Sequence, residues 1–516
     1  MSGSSARRLL SAAAAAAAAT LLASCAVGPD FRLPIAPQNA AYTREMLAAR
    51  TASIDTPGGQ SQHFAAGRDI PQEWWRLFKS PALNSLIKRS IENNPTLQSA
   101  MASLRAAKEA TYAQEGKYFP LAQANFNPTA QRTSAVLSPI PASGASVFDL
   151  HTAQVQVAYT FDVWGLNRRT VESLRAQADT QRFEVEAAYL ALTANVVVAA
   201  IIEASLRGQI EATNEIIDTN SKMVEIFQQR LKAGLSDRSE VAVQEAALAQ
   251  AKATLPPLRK ALAQQRDLLA ALAGSFPNEG PRESFTLGDL HLPTDLPLSL
   301  PSRLVEQRPD IRAAEEQLHA ASAAVGIATA NRLPTFTINA NVGYMSTALS
   351  TLFAPQNLFW LVAGNATQTV FDGGSLFHLQ LQAKETYEAV AWSYRGTVIG
   401  AVQNVADTLR ALQSDADALR AARDFERSAR ISFDLARQQT QTGNANVLLL
   451  LNSQQTYLQA KIALVQARAA RLADTAALFQ ALGGGWWNRT ASPPEKSFNV
   501  GTGKSEPLRR RTHDIF

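Results

Sequence analysis

The sequence is poor in three features that define common classes of protein. It has one cysteine in 516 residues, which excludes an intramolecular disulfide and a multi-cysteine zinc site. Its formal net charge of +5 is small for this length and argues against a dedicated nucleic-acid binder. Beyond the first 24 residues it has no uninterrupted apolar run of 18 residues, so we expect no transmembrane helix. A membrane crossing would have to be made by strands.

Motifs for catalysis or cofactor binding are also missing. None of the six histidines has the HExxH spacing of a zinc site. The stretch GTGKS (501–505) resembles a phosphate-binding loop, but Phe498 stands where the full motif requires a glycine. The stretch ALGGGWW (481–487) follows a helix instead of opening one. We therefore expect no catalytic residue, no metal and no cofactor, and predict that the protein is not an enzyme.

Proline is absent from 142 to 255 and again from 356 to 492. An interior proline costs a helix about 3 kcal/mol, so these gaps are suited to long helices. In the first gap, apolar residues recur at coiled-coil spacing from Tyr189 to Leu231. A helix over 166–232 would be roughly 100 Å long at 1.5 Å per residue. Such a helix is too long for one compact core and requires a side-by-side array.

The single cysteine, Cys25, ends a segment that is typical of a secretory signal. Two arginines at 7–8 precede an uncharged apolar run over 9–22, and small residues lead into the cysteine. This resembles a bacterial lipobox, which implies cleavage before Cys25 and an N-acyl diglyceride on it. Ala26 follows instead of an inner-membrane-retaining aspartate, which favours the outer membrane. The alternative is an ordinary signal peptide followed by a structural cysteine.

The chain also contains an internal repeat with a period of about 210 residues. Pro95 to Pro120 and Pro309 to Pro334 each span 25 residues, and a Phe-Asp pair follows in both halves. Each half is predicted as helix, strand, strand, long helix, turn and helix. The predicted domains are a signal peptide (1–24), an N-terminal lipidated and equatorial segment (25–80), a first repeat (81–275), an equatorial linker (276–301), a second repeat (302–485) and a polar, disordered tail (486–516). The predicted long helices are 166–233, 237–273, 375–441 and 446–482.

Four candidate strands occur in pairs, at 121–133, 148–162, 334–347 and 357–371. Their lengths suit tilted membrane strands, although two soluble hairpins packed on the helices fit the pattern equally well. Four strands cannot close a membrane barrel, because about eight is the smallest known number in one chain. If these strands lie in lipid, the chain has to oligomerise, and three copies would supply twelve strands.

At this point the sequence resembles a known family, the outer-membrane factors or TolC-like channels of tripartite efflux pumps, in the NodT-type lipoprotein subgroup. The resemblance runs from Cys25 to about Trp487. It rests on CAVGPDF (25–31), WWRLF (74–78), LIKRSIENNPTLQSA (86–100), RPDIRAAEEQLHAASAAVGIATANRLP (308–334), QTGNANVLLLLNSQQTYLQAK (441–461) and ALGGGWW (481–487). It implies a mainly α fold with a homotrimeric, twelve-stranded outer-membrane β-barrel continuous with a long periplasmic α-helical barrel.

The resemblance also assigns roles to two turns between long helices. They should lie at the periplasmic tip and contact a periplasmic adaptor protein. Their residues are Gly234, Leu235 and Ser236 in the first half, and Gly443, Asn444 and Ala445 in the second. Glycine at these places also fits an ordinary helix C-terminus that needs a left-handed backbone.

The predicted gate lies just beyond the second turn. Leu448 aligns with the hydrophobic constriction of the family, and Asn452 aligns with a position that is often aspartate in relatives. Three aspartates would form an anionic ring that attracts cations, so Asn452 should make this ring neutral. Asp237 would either add charge near the mouth or cap its helix.

Taken together, these features predict an outer-membrane channel that exports small toxic compounds or drugs from a Gram-negative bacterium. Its expected partners are two copies of itself, a periplasmic adaptor, an inner-membrane transporter of the RND or MFS type, and outer-membrane lipid, with no nucleic acid. One alternative is an outer-membrane conduit for type I protein secretion. Another is a periplasmic adaptor lipoprotein, but such proteins usually have one helical hairpin, whereas this chain has two.

Overall fold

The computed structural model describes most of the chain between Ala26 and Arg489. The described ranges are 26–37, 41–45, 48–132, 147–442 and 447–489, with two short strands at 496–498 and 505–507. Cys25 and the second predicted turn, Gly443, Asn444 and Ala445, lie outside the described residues.

The helices form two sets that occur in the same order along the chain. The helices of the described residues are α1 (Pro81–Asn93), α2 (Pro95–Glu115), α3 (Leu166–Lys232), α4 (Arg238–Leu272), α5 (Pro301–Gln307), α6 (Pro309–Ala330), α7 (Ser375–Gln441) and α8 (Val447–Ala481). Helices α3 and α7 have 67 residues each, and α4 and α8 have 35 each. The ends of these four long helices lie within one residue of the predicted ends.

In the part of the chain that the structure describes, the strands form three separate sheets. They are β1 (His63–Ala66), β2 (Leu121–Arg132), β3 (Val147–Phe161), β4 (Asp295–Leu298), β5 (Thr335–Ser346), β6 (Leu358–Thr367), β7 (Lys496–Phe498) and β8 (Ser505–Pro507). The largest sheet is antiparallel and has the order β2-β3-β5-β6. Strand β6 ends four residues before its predicted end at 371. Strands β1 and β4 pair in parallel, and β7 pairs with β8.

The aspartate of the Phe-Asp pair caps a long helix in each half of the chain. Asp162 accepts hydrogen bonds from the backbone N–H groups of Asn167 and Arg168, at 2.8 and 3.0 Å, where α3 begins. Asp372 accepts one from the Leu376 N–H at 2.7 Å, where α7 begins. These carboxylates satisfy donors that have no partner inside the helix. The repeated motif therefore fixes the point at which each strand pair turns into its long helix.

The positions of the prolines predict the extent of α4 less well than they predict the other long helices. This helix runs through Pro256 and Pro257, which lie beyond the proline-free gap. Each proline lacks the N–H that would bond the carbonyl four residues earlier. Ala251 and Leu255 are buried in this part of the helix, and we attribute its continuity to their packing.

Helix α3 is long and apolar enough to cross a membrane by length and composition alone. However, 61% of its most apolar window is buried inside the protein, and core helices pass the same test. Intervening polar residues explain why the sequence shows no uninterrupted apolar run here.

The chain divides into two compact units that cut across the sequence repeats. The first unit comprises Met1–Pro34, Arg105–Thr180 and Ala314–Tyr394, and it contains the four-stranded sheet. The second comprises Ile35–Leu104, Gln181–Ala313 and Arg395–Phe516. Each unit takes segments from both repeats. The physical reason in the first unit is that β3 of one repeat pairs with β5 of the other.

Part of the core of the second unit holds the long helices together. Buried side chains from four helices form one cluster, among them Met223, Phe227, Val241, Phe433, Leu450 and Tyr457. The rings of Phe433 and Tyr457 stack with centroids 5.6 Å apart. Because these residues come from both hairpins, the cluster joins α3 and α4 to α7 and α8.

We expect Leu450→Ala to destabilise this cluster, because the side chain is fully buried and its removal leaves a cavity. Buried Leu→Ala changes cost about 2–5 kcal/mol. The apparent melting temperature of the detergent-solubilised protein should fall. The adjacent Leu449 is 48% exposed, so Leu449→Ala is the matched control. Equal melting temperatures for the two variants would contradict this account of the core.

Candidate functional site

The register of the four-stranded sheet places similar residues in rows across it. Two apolar rows run across the strands: Ala122, Val157, Ala340 and Val362, and then Ala124, Val155, Val342 and Trp360. The row between them is polar on three strands: Gln123, Gln156, Asn341 and Leu361. Residues of one row share a face of the sheet, and successive rows alternate between faces. The sheet therefore has an apolar face and a largely polar face.

Many side chains on the apolar face of this sheet are exposed among the residues that the structure describes. Trp360 is 72% exposed and Val342 is 50% exposed, and every residue of β2 is exposed. Soluble hairpins packed on helices would have buried these side chains. Strands with an apolar outer face and a polar inner face are typical of outer-membrane proteins. The geometry thus favours the membrane interpretation of the strands.

The residues that directly follow Cys25 are held firmly in the first unit. The Val27 N–H donates to the Trp164 carbonyl at 3.0 Å. Arg169 is buried, and its guanidinium donates to the Val27 carbonyl at 3.2 Å and to Asp30 Oδ1 at 2.8 Å. Arg169 lies in the first turn of α3, so the start of the predicted mature chain is fixed where β3 meets this helix.

Two glycines allow this N-terminal segment to approach α6 closely. Gly28 has a φ of +99°, and a Cβ atom there would lie 2.4 Å from the Cα of Gly326. Next to this contact, the ring of Phe31 stacks on His319 with centroids 4.4 Å apart. The motif at the predicted mature start is therefore a docking segment, in which glycine is required by space and by backbone angle.

The first predicted tip turn has the geometry of a helix C-terminus. Gly234 has a φ of +73°, and the Leu235 N–H donates to the Arg230 carbonyl at 2.8 Å. This bond closes a Schellman motif, which explains the glycine. Leu235 is exposed, and Ser236 Oγ donates to Glu240 Oε2 at 2.5 Å. The turn is thus rigid in its backbone and presents an apolar side chain.

Asp237 is the N-cap of α4. Its Oδ1 accepts a hydrogen bond from the Glu240 N–H at 2.8 Å and another from Ser239 Oγ at 2.6 Å. The hydroxyl of Ser239, followed by the Glu240 N–H, lowers the pKa of the Asp237 carboxyl. The structure therefore supports the capping role that the sequence left open.

Leu448 and Asn452 lie one turn apart on the same face of α8. Leu448 is 56% exposed and Asn452 is also exposed, whereas Leu450 between them is buried. The first two turns of this helix therefore offer a leucine and an amide at the surface. Asp237, the third residue predicted for the gate, is not on this helix, because it is the N-cap of α4.

Sequence reasoning missed the polar contacts between the two helical hairpins. Arg230 Nη1 donates to the Thr440 carbonyl at 2.9 Å, near the ends of α3 and α7. Farther along, Lys461 of α8 forms an ion pair with Glu215 of α3. No motif marks such residues, because their partners lie more than 200 positions away in the chain.

Comparison with known proteins agrees with this geometry. Residues 86–275 and 300–484 match the family model described as outer membrane efflux protein. These two segments coincide closely with the two repeats and cover most of the chain. The chain belongs to the outer membrane efflux protein family. This confirms the predicted family and fold class, the location in the outer membrane and the general function in efflux.

Named relatives cover nearly the whole chain. The toluene efflux pump outer membrane protein TtgC of Pseudomonas putida is 26% identical over 478 residues, which are 92% of this chain and 96% of that protein. The pyoverdine export outer membrane protein OpmQ of Pseudomonas aeruginosa is 29% identical over 438 residues, which are 83% of this chain and 91% of that protein.

Solved structures show the same fold. The outer-membrane channel OprN has a TM-score of 0.79 and 25% identity, covering 90% of this chain and 100% of that one. The outer membrane protein VceC of Vibrio cholerae has a TM-score of 0.74 and 25% identity, covering 81% of this chain and 100% of that one.

A charged substitution should impair membrane assembly on the apolar face of the sheet and leave it unchanged on the polar face. We expect Val342→Arg to impair membrane assembly, because arginine on a lipid-facing strand position costs about 2–4 kcal/mol near the bilayer midplane. Asn341→Arg, one residue away on the polar face, should assemble normally. The measurement is the amount of each variant that fractionates with the outer membrane. Equal amounts of the two variants would show that the faces are assigned wrongly.

Proposed function

We propose that this chain is the outer-membrane channel of a tripartite efflux system and that three copies build one barrel. The observation that carries the proposal is the sheet itself. Among the described residues, β2 and β6 have no neighbour on their outer edges. In lipid, each unpaired backbone group on such an edge costs several kcal/mol.

Pairing β2 of one copy with β6 of the next removes these edges. All neighbouring strands of the sheet are antiparallel, and β2 and β6 also run in opposite directions, so the closing pair continues the same pattern. Three copies give twelve strands. The row containing Trp360 then faces lipid, and the row containing Gln123 and Asn341 lines a water-filled lumen.

The long helical hairpins would form the periplasmic part of the conduit. In this proposal the turns 234–236 and 443–445 contact a periplasmic adaptor, which connects the channel to an inner-membrane transporter of the RND or MFS type. The exposed Leu235 beside a rigid glycine turn supports the first of these contacts. Gly443, Asn444 and Ala445 of the second turn are proposed to make the same contact, because this turn has the same place in the second repeat as the first turn has in the first.

The gate is proposed at the start of α8. Leu448 is the constriction, because it is an exposed leucine in the first turn after the hairpin tip. Asn452 lies on the same face and makes the next ring of three side chains neutral. Opening moves helices and involves no covalent chemistry.

The exported compounds are proposed to be small and toxic. The names of relatives that refer to toluene and antibiotic efflux support this class. A type I protein secretion conduit would use the same fold. A periplasmic adaptor is less well supported, because such a protein has no need for a sheet with one exposed apolar face and one polar face.

Cys25 is proposed to carry an N-acyl diglyceride that anchors the chain in the outer membrane. Arg169 holds Val27 and Asp30 at the start of α3 next to the sheet. The fixed position of Val27, two residues after Cys25 in the sequence, supports an anchor at this end of the chain.

Native mass spectrometry of detergent-extracted protein tests the assembly and the lipid together. We expect a trimer in which each subunit lacks residues 1–24 and carries the mass of acyl chains. Cys25→Ala should remove the lipid mass and leave the trimer intact, because the sheet edges drive assembly. A monomer in the native protein would refute the shared barrel, and an unmodified Cys25 would refute the anchor.

Gate substitutions should change two different properties of conduction. We expect Leu448→Ala to raise single-channel conductance by widening the constriction, and Asn452→Asp to raise cation selectivity by restoring an anionic ring. Leu435→Ala, an exposed leucine on α7, is the control. Planar-bilayer recordings of purified trimers give both quantities. If conductance and selectivity match those of the control, the gate lies elsewhere.

A further inference from the structure

A cavity of about 240 Å³ lies between α3, α4 and α8 in the second unit. It is lined by Ile216 and Asn220 of α3, by four residues of α4 within 247–254, and by six residues of α8 within 451–462. We call it the three-helix cavity. None of these described lining residues has an ionisable side chain. Because burying a charge without a counter-charge is costly, the cavity suits an uncharged molecule.

The inner wall of the three-helix cavity is mainly aliphatic. It is formed by the buried Ile216 and the half-buried Leu451, Leu458 and Ile462. At roughly 30 Å³ for each molecule in the liquid, about eight water molecules would fill this volume, and each would need two to four polar partners. Aliphatic groups provide no such partners. An organic molecule with an apolar body therefore fits this wall better than water alone does.

The opening of the three-helix cavity is polar. Its exposed lining residues are Gln250, Thr254, Gln455 and Gln459. Gln455 Nε2 of α8 donates to Gln250 Oε1 of α4 at 2.9 Å, so one hydrogen bond joins the two helices at the opening. A neutral hydrogen bond that water can replace contributes little free energy. It therefore presents a small barrier to a molecule that enters.

Two buried amide side chains of the lining have unpaired atoms. Gln454 is 2% exposed, and neither its Nε2 nor its Oε1 has a hydrogen-bond partner among the described residues. Asn220 is also buried, and its Nδ2 donates to the Ala247 carbonyl at 3.3 Å, whereas its Oδ1 has no partner in the same part of the chain. Unpaired buried amides cost free energy, which a ligand that pairs with them recovers. The cavity thus offers two oxygen acceptors and one NH₂ donor.

We propose that the three-helix cavity binds a small uncharged organic molecule that has an apolar body and one primary carboxamide group. The ligand NH₂ donates to Gln454 Oε1 and to Asn220 Oδ1, and the ligand carbonyl accepts from Gln454 Nε2. Its apolar body lies against the aliphatic wall. A bound molecule holds α8 against α3 and α4. The site is distinct from the proposed gate, since Leu448 is not among its lining residues, and it requires neither the trimer nor the export function.

Fluorine NMR of the detergent-solubilised full chain tests the site with two probes. The first is para-fluorobenzamide, which has the carboxamide, and the second is para-fluorotoluene, which lacks it. We expect saturable binding of the first probe, about tenfold tighter than that of the second, because only the first pairs with the buried amides. Competition with unlabelled benzamide separates binding to the protein from uptake by the detergent micelles.

Gln454→Leu keeps most of the side-chain volume and removes both unpaired atoms. We expect its affinity for para-fluorobenzamide to fall about tenfold, to the level of para-fluorotoluene. Without a probe, its apparent melting temperature should equal or exceed that of the wild-type chain, because the unpaired buried groups are gone. This measurement also shows whether the variant is folded.

Gln244→Leu is the matched control. Gln244 is fully buried, and among the described residues its two amide atoms are also unpaired, but it does not line the three-helix cavity. This variant should bind para-fluorobenzamide as tightly as the wild-type chain does.

Three results would overturn the proposal. They are a wild-type chain without saturable binding, equal affinity of the wild-type chain for the two probes, and equal affinity of the two variants for para-fluorobenzamide. The comparison of the two probes uses only the wild-type chain, so it decides the matter even if Gln454→Leu does not fold.

Discussion

A strand at the edge of a sheet carries a row of backbone N–H and C=O groups, and lipid offers them no partner. The need to pair these backbone groups determines how the strands of this protein can be arranged in a membrane. Within the described residues, the chain has four long strands, an exposed apolar face and two open edges, so one copy would leave these edges unpaired in a membrane. A barrel shared among copies satisfies the edges and turns the apolar face toward lipid. The polar face, with Gln123, Gln156 and Asn341, then becomes the wall of a duct.

The duplication explains how one chain supplies its share of such a wall. Each repeat contributes one strand pair and one long hairpin, and β3 pairs with β5 to join the repeats in the middle of the sheet. The aspartates at 162 and 372 start α3 and α7 directly after the strand pairs. Membership of the outer membrane efflux protein family, matched over both repeats, agrees with this architecture.

Local patterns predicted the elements well, because helix periodicity, strand alternation and the repeat all act over short distances. The ends of α3, α4, α7 and α8 followed from them, although the prolines at 256–257 gave no sign that α4 runs on. Long-range contacts were not predictable. The hold of Arg471 on residues 51–62 and the bond between Arg230 and Thr440 join segments hundreds of positions apart, and no spacing rule marks them. The alternation of single strands was visible in the sequence, but the alignment of the four strands into one apolar face comes from the strand register.

The most direct test of the shared wall is amide hydrogen exchange in the detergent-extracted protein, resolved by strand. If neighbouring copies close the sheet, the amides of β2 and β6 are paired on both sides and should exchange as slowly as those of β3 and β5. Rapid exchange confined to β2 and β6, with slow exchange in the central strands, would mean that the edges are open and would contradict the account.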